Sequence, residues 1–108
     1  MYGAILLAVA IVIEVGATSL LPRAQGFTDP LWTTIVIGGY ALSVWLLAVV
    51  VKTMPVSVAY AVWSGVGTAL VAAVGMAFLG ESISTAKVLF LTMIVTGVVG
   101  LNVVSPHA

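Results

Sequence analysis

One carboxylate sits where water does not belong. In the run Ala8-Val9-Ala10-Ile11-Val12-Ile13-Glu14-Val15-Gly16-Ala17-Thr18, Glu14 is the only acidic residue of the chain placed inside a long hydrophobic segment. An ionised carboxylate in hydrocarbon costs several kcal/mol at least, so such a group is protonated, paired with a cation, or turned toward a wet cavity. Proton binding and cation binding are therefore the chemistry this position offers. At helical spacing Glu14 shares a face with Leu7, Ala10, Ala17, Thr18 and Leu21. Ala10 and Ala17 are small, which predicts open space on either side of the carboxylate. Thr18, one turn on, either donates to the carboxylate or returns its hydroxyl to the Glu14 carbonyl. The plainer alternative for Glu14 is a protonated acid that satisfies a neighbouring helix.

A second set lies at Tyr60, Trp63, Ser64 and Gly67, spaced i, i+3, i+4 and i+7 on one helical face. Two aromatics beside a hydroxyl and a glycine make a poor lipid-facing surface and a good wall for a flat or cationic ligand. A cation over an indole gains about 0.5–2 kcal/mol. Helix packing, with Tyr60 near an interface, is the competing reading. Tyr40 follows Gly38 and Gly39 in mid-span, where its hydroxyl needs a partner, either a structural hydrogen bond or a ligand. Gly65 and Gly67 make a kink possible in the middle of their helix.

These side chains must be positioned by membrane helices. The chain has 108 residues, 63% hydrophobic and 6% charged, with a mean hydropathy of +1.35. Soluble domains carry about a quarter charged residues, so this chain cannot cover a water-facing surface. The absence of cysteine excludes disulfides and thiolate metal sites, and a net charge of zero offers nothing to nucleic acid. No metal or cofactor is expected. Four apolar runs, at about 3–21, 31–51, 56–79 and 85–104, each approach the ~20 residues that cross a bilayer. They define a single all-α, four-helix transmembrane domain over residues 1–108. The first run reads as a span rather than a removed leader, because it lacks a basic start and carries Glu14 centrally. The breaks between runs collect most charges and prolines, including Arg23 and Asp29, which are expected to pair. Lys52 on one side faces Arg23 and Lys87 on the other, too weak a bias to fix one orientation. In the last run Phe90, Met93, Ile94, Gly97 and Leu101 form a stripe with a gap at Gly97, suited to helix association.

Four helices joined by short loops cannot both enclose a sizeable cation and bury their small-residue faces, which predicts assembly. In a dimer two copies of Glu14 share a chamber, and a proton or a cation relieves their mutual repulsion. Cation needs the ionised carboxylate and proton neutralises it, so each displaces the other. A pair of oppositely inserted copies supplies the two equivalent states of alternating access.

At this point the chain resembles the small multidrug resistance family of bacterial proton-coupled exporters. The marks are Glu14, Gly26-Phe27-Thr28, Pro55, the run Ala59-Tyr60-Ala61-Val62-Trp63-Ser64-Gly65-Val66-Gly67, and Gly97-Val98. The resemblance implies an antiparallel homodimer in the bacterial inner membrane, with Glu14 of both copies binding protons and drug in competition. It further implies that Tyr40, Tyr60 and Trp63 line the pocket and that Ala10, Ala17, Thr18 and Ser64 support Glu14. Gly65 and Gly67 would permit the kink, and Met93, Ile94, Gly97 and Val98 would hold the dimer. Tyr40, Ala17 and Asn102 are similar to the branch that exports quaternary ammonium compounds and aromatic cationic dyes, not an enzyme but a carrier. A guanidinium exporter, one subunit of a heteromeric pair, and a non-transporting accessory membrane subunit stand as alternatives.

Overall fold

A computed structural model describes residues 2–104, with the side chain of Asn102 outside the described set. The helices are α1 (Tyr2–Ser19), α2 (Leu21–Ala24), α3 (Pro30–Val50), α4 (Val56–Phe78) and α5 (Thr85–Val104). Among the described residues there is no strand. α1, α3 and α4 are each long and apolar enough to cross a membrane, and α5 carries a shorter apolar stretch, Thr85–Leu101. The fold is thus all-helical, as a small multi-span membrane protein requires when lipid cannot satisfy backbone groups.

The helix ends depart from the apolar runs for local reasons. The first run extends to residue 21, yet α1 stops at Ser19, where the Leu20 amide takes the carbonyls of both Gly16 and Ala17 and tightens the turn. α2 follows with Pro22 in its first turn, where proline's missing N–H leaves no gap. The chain then reverses through three successive left-handed residues, Gln25, Gly26 and Phe27, with φ of 52°, 68° and 65°. Asp29 closes the loop as the N-cap of α3, its Oδ1 accepting from the Trp32 amide at 3.0 Å. The expected Arg23–Asp29 pair is therefore replaced. Asp29 serves the helix end, and the Arg23 guanidinium lies 5.1 Å from the Trp32 ring centroid, a cation–π contact. Ser84 begins α5 in the same manner, its Oγ accepting from the Lys87 amide at 3.1 Å.

α1 packs against both α3 and α4, whereas α5 rests chiefly on α4. Leu7, Ile11, Val15, Val50 and Ala59 form the buried core where α1, α3 and α4 meet. Along the α1–α3 seam small side chains let the backbones approach, which is how helices associate where lipid removes any hydrophobic drive. Ala10 is fully buried, and its carbonyl accepts from Ser43 Oγ at 3.0 Å. A Cβ placed on Gly39 would lie 3.1 Å from that of Ala17. The protein measures 43 × 35 × 17 Å, about two helices thick at its thinnest. Helices so arranged form a slab, and among the described residues none closes the groove on one face.

Candidate functional site

Glu14 is half-buried where α1, α3 and α4 converge. Its two oxygens have different surroundings. Oε2 accepts a 2.6 Å hydrogen bond from Thr18 Oγ1, one helical turn along. Oε1 faces Gly67 of α4, and a Cβ there would lie 2.7 Å from it, so any larger side chain would have to displace the carboxylate. Thr18 Oγ1 also lies 2.7 Å from the Tyr40 hydroxyl. With the Thr18 proton given to Glu14, the Tyr40 O–H donates to Thr18, making a relay of Tyr40, Thr18 and Glu14. Of the two partners open to Thr18, the carboxylate is therefore the one taken. Tyr40 likewise finds its structural partner while still facing the cavity.

That cavity has a volume of about 640 Å³ and is lined by Glu14, Thr18, Tyr40, Tyr60, Trp63, Ser64 and Gly67, among others. The rings of Tyr60 and Trp63 meet edge to face, 5.8 Å between centroids and 70° between planes. This geometry holds both rings as a wall. Trp63 Nε1 is buried without a hydrogen-bond partner, a donor left for something else to satisfy. An acid, a hydroxyl relay and an aromatic wall can together hold a proton or an organic cation. Among the described residues no three His, Cys, Asp or Glu side chains gather as metal ligands.

Other positions singled out from the sequence fall elsewhere. Ala10 and Ala17 are buried against α3 and do not line the cavity. Their small size serves helix approach, and the space beside the carboxylate comes from Gly67 across on α4. Ser64 lines the cavity but makes no hydrogen bond to Glu14; its carbonyl accepts from Thr68 Oγ1 at 2.6 Å. α4 runs without a break through Gly65 and Gly67. Both glycines also stand at close approaches: Gly67 meets Glu14, and a Cβ on Gly65 would collide with the Val98 side chain and lie 3.4 Å from Ile94 Cγ2 of α5. So Ile94 and Val98 face their own chain. Met93 and Gly97 are exposed, with nothing near Gly97.

Sequence reasoning missed Val44, Thr68, Val71, Ala72 and Glu81, which also line the cavity. Three of them were legible in principle. Thr68, Val71 and Ala72 continue the helical period that begins at Tyr60. Glu81 carries no such signal, because it lies beyond the end of α4 and is returned to the cavity by a turn.

Residues 2–94 match the family described as Small Multidrug Resistance protein. The chain is 49% identical over 100 residues to the multidrug resistance protein mmr of Mycolicibacterium paratuberculosis, spanning 91% of this chain and 92% of that one. It is 44% identical over 108 residues to the multidrug resistance protein EbrB of Bacillus subtilis, covering 100% and 92% of the two chains. It is 41% identical over 105 residues to the quaternary ammonium compound-resistance protein QacE of Escherichia coli, covering 97% and 96%.

Proposed function

The chain belongs to the small multidrug resistance family, and from that premise we propose that it is a proton-coupled antiporter of hydrophobic organic cations. Quaternary ammonium and aromatic cations are the proposed cargo, in keeping with the names its relatives carry. Export runs across the bacterial inner membrane and involves no covalent step.

The observation that carries this reading is Glu14 at the wall of a cavity shared with Tyr60 and Trp63. An ionised Glu14 supplies the charge a cation needs once stripped of water, and the two rings take its apolar groups. A proton arriving on Glu14 removes that charge, and the cation leaves. When the cation returns, the proton must depart, so the two fluxes run in opposite directions. The Tyr40–Thr18 relay holds the carboxylate in place in both conditions, because a hydroxyl can donate to carboxylate or accept from carboxylic acid.

The working unit is an antiparallel homodimer in which both copies of Glu14 face one chamber. The open side of the groove and the exposed Met93 and Gly97 support a partner chain. Bending of α4 at Gly65 and Gly67 exchanges the two access states. Proteoliposomes with an imposed pH gradient test the reading. They should accumulate tetraphenylphosphonium against its gradient, and the Glu14→Gln variant, folded and inserted, should not. Proton-driven accumulation by Glu14→Gln would refute it.

A further inference from the structure

A second carboxylate lies on the wall of the Glu14 cavity. Glu81 lines it although it follows α4 in sequence. The chain leaves α4 through Gly80, whose φ of +74° turns it back so that the Glu81 amide bonds to the Gly75 carbonyl at 3.0 Å. The carboxylate then settles on Gly75. A Cβ at Gly75 would meet Glu81 Cδ at 2.6 Å and Oε2 at 2.9 Å, so the seat exists only because Gly75 has no side chain. Gly67 makes the same kind of space for Glu14. The eight residues from Gly67 to Gly75 rise about 12 Å along the helix, which sets the two carboxylates roughly that far apart along one groove. Thr68, Val71 and Ala72 line the interval, and the Glu81 side chain is 52% exposed, so it stands at the watery end.

Resting on the antiporter reading above, we propose that Glu81 is a cation-collecting contact at the mouth of the Glu14 cavity, covered by Lys87. Lys87 Nζ lies 3.5 Å from Glu81 Oε1 and also donates to the Ser82 carbonyl at 3.3 Å. A half-exposed pair of this sort is worth little to stability. It leaves a carboxylate whose lysine an arriving organic cation can replace. The replacement is an exchange of one positive partner for another, with no net charge stranded. Glu81 then hands the cation along a largely apolar groove to Glu14. In an antiparallel dimer each membrane face has one such mouth, so the same residue serves uptake on one side and release on the other.

A charge at a rim acts on association rate and its salt dependence more than on final affinity. Stopped-flow tryptophan quenching by tetraphenylphosphonium, at low and high ionic strength, reads this directly on the full-length protein in detergent. Glu81→Gln should slow association several-fold at low salt and flatten its salt dependence, while proton release at saturating cation stays as in the wild type. Lys87→Gln should speed association. A purely structural pair predicts the same sign for both substitutions, and slowing by both would overturn the proposal. So would a wild-type rate in Glu81→Gln. Should that variant not fold, an unchanged or slower rate in Lys87→Gln overturns it alone. Failure of the antiporter reading looks different, since proton release would then be missing from the wild type itself.

Discussion

Between α1 and α3, Ala10 and Ala17 are buried, Gly39 touches Ala17, and Ser43 reaches across to the Ala10 carbonyl. Along α5, a Cβ added to Gly97 or Gly100 would meet no described residue beyond its own helix within 4 Å, and Met93, Val95 and Val99 lie exposed. Both regions are rich in small residues, yet only the first has spent them on contacts within the chain. In a bilayer, apolar surface gives no drive toward another helix, so close approach and polar bonds decide what associates. The α1–α3 seam has both and is complete, and it fixes Thr18 and Tyr40 opposite each other to hold Glu14. α5 is joined to the rest through Gly65, against Ile94 and Val98, and turns its other small residues outward. One region builds the site; the other lies open, and it is where the proposed partner chain would pack.

Substitutions separate these two roles. Gly67→Ala acts on the site face of α4 and should have the largest effect, because its methyl group would stand 2.7 Å from Glu14 Oε1 and displace the carboxylate. Cation affinity should fall about tenfold or more, the ~1.4 kcal/mol expected of one displaced charged contact, with helix content unchanged by circular dichroism. Gly38→Ala, at an open position of α3, is the matched control and should bind as the wild type does. Gly97→Leu is next. It adds bulk where the chain has no neighbour, so each protomer's own stability should move by no more than about 0.5 kcal/mol. Cross-linking in membranes should nevertheless show less pairing; undiminished pairing would remove Gly97 from the interface. The smallest effect on binding and pairing is expected at the seam. Ser43→Ala deletes one interhelical bond, worth about 0.5–1.5 kcal/mol, and should lower thermal stability without changing cation selectivity.

Much of the site could be read before any coordinates. Glu14 declares itself by polarity, Thr18 by its spacing from Glu14, and Tyr60, Trp63, Ser64 and Gly67 by a shared helical period. Helices of bilayer length follow from the apolar runs. What could not be read is which face of each helix meets protein. Where lipid is as apolar as leucine, a helix hydrophobic all round gives no periodic sign of its packed side. Ala10 and Ala17 thus share the helical face of Glu14 by period yet pack against α3, and the close approach of α5 to Gly65 has no sign in the sequence. Gly67 is legible as small but not as the seat of a carboxylate. The Arg23–Trp32 contact and the return of Glu81 over Gly75 depend on left-handed turns at Gln25–Phe27 and Gly80. Local composition marks such turns without giving their direction.

In the proposed antiport, proton and cation compete for Glu14. The most direct measurement is tetraphenylphosphonium binding to the purified protein across a pH series, with proton release recorded in the same samples. Competition predicts that binding weakens as pH falls, that protons are released on binding at a pH where Glu14 is protonated, and that both effects vanish in Glu14→Gln. Cation binding that is independent of pH and releases no protons would contradict it.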